Sequence, residues 1–150
     1  MFPDQNVNWQ SSDSLEIYTD GSCIGNGRSN APCGWAYAII LGQEEIFFSG
    51  GWTGGTNNQA EMRAVIEALK KIKSHASNPI TLYSDSRYVV ETLNGNYTIG
   101  KNQDLWAELK KLVNTFPHIR FLWVKGHANN RYNNIVDQMA NQEAASRIQH

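Results

Sequence analysis

Read for hydrophobic period, the front of the chain carries a two-residue repeat, and further back that repeat alternates with a helical one. Ile17-Tyr18-Thr19 predicts a strand, and Gly21-Ser22-Cys23 is expected to turn and end it, leaving Asp20 at its carboxyl end. A polar turn from Gly25 to Pro32 leads into a second strand, Gly34 to Ile40. Gly42-Gln43-Glu44 reads as a short turn and Glu45 to Gly51 as a third strand, giving an antiparallel meander. From Asn57 to about Lys73, Ala64, Val65, Ala68, Leu69 and Ile72 recur at helical spacing, with Arg63, Glu67, Lys70, Lys71 and Lys73 elsewhere. Ile80 to Ser84 is the next strand, and Arg87 to Leu93 a short helix stopped by Asn94-Gly95-Asn96. A helix over Gln103 to Thr115, a strand over Ile119 to Val124, a polar loop and a helix over Asn133 to Ile148 complete the pattern. The terminal helix turns Val136, Ala140 and Ala144 inward.

The order β-β-β-α-β-α-α-β-α predicts an α/β fold: a mixed five-stranded sheet, three antiparallel strands then parallel ones, with helices on both faces. Residues 1–13 are polar and without period, a loose tail; residues 14–150 are expected to form one domain. No apolar run approaches the roughly 20 residues of a membrane span, and the start lacks a secretory pattern. A soluble, monomeric, cytoplasmic protein is expected. Cys23 and Cys33 are too few for a disulfide framework or a zinc site and read as reduced thiols. The formal net charge of -1 argues against a protein that holds nucleic acid by bulk electrostatics.

Four acids stand where packing does not call for them. Thr81-Leu82-Tyr83-Ser84-Asp85 repeats the design of the Asp20 segment, so two strands each deliver a carboxylate to one sheet edge. Glu61 lies four residues before Val65 on the inward stripe of its helix, and Asp137 lies beside the inward stripe of the last. Carboxylates gathered this closely repel one another and take up protons unless hard divalent cations neutralise them. An oxygen-only set suits Mg²⁺, with Mn²⁺ as a substitute, and two such ions form a clamp for phosphoryl transfer. Singly, each acid reads as a turn residue or a first-turn helix acid; together they read as metal ligands.

The stretches Tyr18-Thr19-Asp20-Gly21-Ser22-Cys23, Thr56 to Glu61, Ser84-Asp85-Ser86, Val124-Lys125-Gly126-His127 and Asn133 to Asp137 together resemble type 1 ribonuclease H, in the family's order. The resemblance implies the ribonuclease H fold and a two-metal endoribonuclease that cuts the RNA strand of RNA–DNA hybrids. The expected products carry 5′-phosphate and 3′-hydroxyl ends. It implies that Asp20, Glu61, Asp85 and Asp137 are the metal-binding catalytic carboxylates, and that His127 assists proton transfer or product release. Asn26, Asn57, Asn58 and Gln59 are candidate readers of the 2′-hydroxyl side of the hybrid. Asn26 and Thr56 are implied to hold a DNA-strand phosphate, and Arg87 is a further candidate phosphate contact.

Asn57 and Asn58 also suit a helix cap. Trp35, Trp52, Trp106 and Trp123 read as core or interface aromatics, and Lys70, Lys71, Lys110 and Lys111 as solvated helix faces. Two departures from the family stand out. The basic, Trp-containing protrusion of many relatives is reduced here to Asn94 through Asn102, and Asn134 stands where relatives often carry Glu. Two other function classes share the fold: a resolvase- or integrase-like polynucleotidyl transferase and a catalytically silent nucleic-acid-binding domain. The Thr56 to Gln59 run and His127 favour the ribonuclease over the transferase, and the presence of all four acids disfavours the silent domain.

Overall fold

The structure, a computed structural model, describes residues 13–126 and 130–148. The expected tail, apart from Asp13, and His127 lie outside the described residues.

Strands β1 (Leu15–Cys23), β2 (Pro32–Leu41), β3 (Glu44–Thr53), β4 (Ile80–Ser84) and β5 (Ile119–Trp123) form one sheet in the order β3-β2-β1-β4-β5. The β1-β2 and β2-β3 pairs are antiparallel, and β4 runs parallel to both β1 and β5. This is the mixed sheet the pattern predicts. Helices α1 (Asn57–Lys71), α2 (Arg87–Leu93) and α3 (Gln103–Val113) accompany one face and α4 (Arg131–Ala145) covers the other. A 3-10 turn, Lys73–His75, follows α1.

Alternation along the strands sorts the two cores. Leu15 and Ile17 of β1, with Trp35, Tyr37, Ile39 and Leu41 of β2, pack against Met62, Val65, Ile66 and Leu69 of α1 and Trp106 and Leu109 of α3. Each fully buried branched side chain in this set contributes roughly 1.5–3 kcal/mol relative to exposure. The α4 face is built from smaller residues, with Ala36 and Ala38 of β2 against Val136 and Ala140, framed by Tyr18 and Ile40. Among the described residues, no helix is long and apolar enough to cross a membrane.

Two local readings change. The Gly21-Ser22-Cys23 segment does not end β1: it continues the strand because Cys33, Gly34 and Trp35 of β2 stay paired with it. Antiparallel pairing overrides the breaker signal. The same register sets Cys23 directly opposite Cys33, and the two are joined by a disulfide with Cα atoms 4.0 Å apart. A count of two cysteines favours free thiols, but the turn over residues 24–31 folds β2 back and brings both into one buried cluster with Ala31 and Ala60.

The disulfide closes a loop with a sequence separation of 10, which by loop-closure entropy is worth about 2–3 kcal/mol. A Cys23→Ser/Cys33→Ser variant is therefore expected to melt below the oxidised wild type and to be insensitive to dithiothreitol, which lowers the wild-type midpoint. Equal midpoints for oxidised wild type and variant contradict this.

Candidate active site

Parallel pairing of β1 with β4 stops at Thr19↔Ser84, so the next residue on each strand is an aspartate at the same height. Asp20 continues along β2, whereas Asp85 leaves the sheet, and Ser86 then caps α2 by accepting the Val89 N–H. The two carboxylates therefore become neighbours where β1 changes from two strand partners to one.

Glu61 arrives from the other direction. A Cβ on Gly21 would lie 2.2 Å from the Ala60 carbonyl carbon and 2.5 Å from the Glu61 nitrogen, so the absence of a side chain lets the first turn of α1 press against β1. Gly34 serves α4 in the same way, since a Cβ there would lie 2.1 Å from the Ala140 oxygen. One carboxylate oxygen from each of Asp20, Glu61 and Asp85 falls within 4.8 Å of the others. Asp137 of α4 stands at the edge of this trio, within hydrogen-bonding reach of Asp20, and its Oδ2 accepts from Asn141 at 3.5 Å. After β5 the backbone at Gly126 comes close to Asp85, since a Cβ there would lie 3.2 Å from Asp85 Oδ2.

The electrostatics follow from crowding and burial. Asp20 is only 4% exposed, and its own Gly21 N–H donates to Oδ1 at 2.9 Å. Burial, the Asp85 charge and the contact with Asp137 push its pKa up to about 9. Glu61 is pushed well above the ordinary carboxylate range by burial and then by Asp20 and Asp85; Asp85 is raised by burial and Asp137, against hydrogen bonds that pull it down. Glu61 Oε1 is buried with no hydrogen-bond partner. An orphaned carboxylate oxygen on a residue of an all-oxygen donor set fits a hard divalent cation and not zinc.

The candidate substrate residues form a second group around the start of α1. Thr56, not Asn57 or Asn58, caps this helix in a reciprocal capping box with Gln59. Asn57 instead ties two elements together: its Oδ1 accepts from the Cys23 N–H at 2.7 Å, and its N–H donates to Asn26 Oδ1 at 2.6 Å. Asn58 is exposed beside it. Gln59 Nε2 donates to Asn102 Oδ1 at 3.1 Å, and Asn102 Nδ2 donates to the Tyr88 hydroxyl. Asn102 escapes a reading by sequence because it lies in the shortened connection, yet its left-handed backbone (φ 58) is a conformation Asn tolerates well. Arg87, the first residue of α2, lies apart from this group with its guanidinium over the Trp123 ring.

A family model described as RNase H matches residues 12–145. The Ribonuclease HI of Pasteurella multocida (strain Pm70) is 40% identical over 139 residues, spanning 84% of this chain and 86% of that protein. Among solved structures, RNase H1 from the halophilic archaeon Halobacterium salinarum NRC-1 superposes with a TM-score of 0.70 at 28% identity, covering 89% of this chain and 98% of that one. LC11-RNase H1, solved in complex with an RNA/DNA hybrid, shares the fold with a TM-score of 0.71 at 22% identity, covering 85% of this chain and 97% of its own.

The raised carboxylates make metal-free stability depend on pH with a definite sign. The folded-state pKa of Asp20 is about 9 against an ordinary 3.8. Between these values the unfolded chain binds fewer protons, so stability falls as pH rises. In EDTA, Asp20→Asn is expected to melt above wild type by a margin that widens from pH 5 to 8, growing by at most about 1.4 kcal/mol per pH unit. A margin that stays constant or shrinks contradicts the repulsion.

Proposed function

The chain belongs to the ribonuclease H family, and we propose that it hydrolyses the RNA strand of RNA–DNA hybrids by metal-assisted phosphodiester cleavage that leaves 5′-phosphate and 3′-hydroxyl ends. The observation that carries this reading is the trio of Asp20, Glu61 and Asp85 with the buried, unpartnered Oε1 of Glu61. Divalent cations, Mg²⁺ or Mn²⁺ and two in the productive complex, supply an activated water and stabilise the leaving oxygen when bound.

The chain's own residues hold and aim. Asp20, fixed by the Gly21 N–H, and Glu61, fixed by the seating of α1 on Gly21, each offer an oxygen to the cluster. Asp85 closes the trio, and Asp137, on the exposed side of it, is the fourth ligand. His127, between β5 and α4 in the sequence, assists proton transfer or product release. Asn26, Thr56, Asn57, Asn58 and Gln59 bind the hybrid on the α1 side, where the Asn26–Asn57–Cys23 ties give the surface a fixed shape. Polar side chains and backbone in such a shape are what reading of 2′-hydroxyls across a shallow minor groove requires. Arg87 binds a backbone phosphate. Residues 14–150 act as one catalytic domain, as a monomer and in the cytoplasm.

With Mg²⁺, labelled RNA–DNA hybrid is expected to be cut, while double-stranded RNA and double-stranded DNA of the same sequence are not. Replacing the 2′-hydroxyls around the cut phosphate with hydrogens is expected to stop the reaction, as is Asp20→Asn. Equal cutting of the all-DNA duplex contradicts the reading and favours another nuclease chemistry on this fold.

A further inference from the structure

Strand β5 ends in a tryptophan that stays 39% exposed, with Leu122 exposed before it. Trp123 pairs with Ser84, the residue before Asp85, and the next amide, Val124 N–H, donates to the Ser84 carbonyl at 2.9 Å. From that position the Trp123 indole N–H donates to the main-chain oxygen of Asp85 at 3.1 Å. The same ring carries the Arg87 guanidinium, whose Cζ lies 4.2 Å from the ring centroid. One side chain thus touches both the backbone of a candidate metal ligand and the nearest cation on the following helix.

We propose that Trp123 is a positioning residue that fixes the Asp85 main chain and the Arg87 guanidinium in one geometry, so that Arg87 presents its N–H donors to a backbone phosphate of the bound strand. This rests on the reading that the acid cluster cleaves a nucleic-acid strand. Three features support the pairing. The segment from Ser84 to Arg87 is held at both ends, since the Ser86 N–H donates to Ser84 Oγ at 3.0 Å and Ser86 Oγ accepts from Val89 N–H at 3.2 Å. Among the described residues Arg87 forms no ion pair, so its charge is left for a ligand. A guanidinium lying on an aromatic face keeps its in-plane donors free, and that planar fork matches two phosphate oxygens. An unstacked Arg would sample many rotamers and lose more entropy on binding.

The test is a double-mutant cycle on hybrid binding, measured in EDTA over a salt series, with steady-state kinetics in Mg²⁺ alongside. Arg87→Ala is expected to weaken binding and to lower the log–log salt slope by about one. Trp123→Leu, which keeps Arg87 but removes its platform, is expected to weaken binding by about two- to fivefold, the size of an exposed cation–π contact. Adding it to Arg87→Ala should cost little more, because the two act through one contact. Trp123→Phe keeps a ring but no N–H, so it should spare most of the binding while lowering kcat by about three- to tenfold, the loss of one hydrogen bond to the Asp85 carbonyl. A split between KM and kcat of this kind is not expected from a tryptophan that only covers the sheet edge. Additive binding losses, an unchanged salt slope in Arg87→Ala, or an unchanged kcat in Trp123→Phe overturns the proposal. Wild-type protein that binds hybrid with the cycle intact yet does not cut it overturns the proposed function while supporting this contact.

Discussion

Three carboxylates, Asp20 buried and Glu61 and Asp85 partly so, each with an oxygen within 4.8 Å of the others, are the constraint on which the rest depends. Burial and mutual repulsion both oppose their ionisation, so the metal-free fold holds protons there that an unfolded chain would release. Such an arrangement persists only where the scaffold over-determines it. Here the scaffold does so with backbone: the end of the β1-β4 pairing sets Asp20 beside Asp85, and the missing side chain of Gly21 lets α1 bring Glu61 against both. The apolar faces behind them, from Ile17 and Val65 on one side to Ala36 and Ala140 on the other, hold those backbones in place.

Much of this was legible in the residues. Alternation and helical spacing predicted every strand and helix within a few residues, because each element buries one face and shows its period. The neighbouring heights of Asp20 and Asp85 could be read from the repeated Tyr-hydroxyl-Asp design. What could not be read is pairing at a distance. Gly21 looks like a strand breaker until β2 is seen opposite it, and Cys23 and Cys33 look like unrelated thiols until the same register sets them face to face. Asn57 looks like a cap, yet Thr56 takes that role and frees Asn57 to join β1 to the loop carrying Asn26. Trp123, which reads as a core or interface aromatic, stays 39% exposed because β5 is the edge strand and Trp123 is its last residue.

Around the start of α1, where the hybrid is proposed to bind, the surface is assembled from short hydrogen-bonded ties. A chain with net charge -1 cannot draw a polyanion strongly over its whole surface. The connection from Asn94 to Asn102 contributes one asparagine that reaches Gln59 and Tyr88. The disulfide anchors the base of the Asn26 loop, and the Asn57 side chain joins that loop to the start of α1. Affinity in such a surface comes from pre-organised polar groups, whose ordering cost is met when the protein folds and not when it binds.

Exchange of protons for a cation at the acid trio follows from the raised carboxylates of the free protein. It is tested most directly by calorimetric titration of the protein with Mn²⁺ at pH 7 in two buffers of different ionisation enthalpy. Because Asp20 holds its proton up to about pH 9 without metal, binding should release protons, and the measured heat should shift with the buffer. The shift should shrink in Asp20→Asn. Binding with the same heat in both buffers, or no binding at all, would contradict the account.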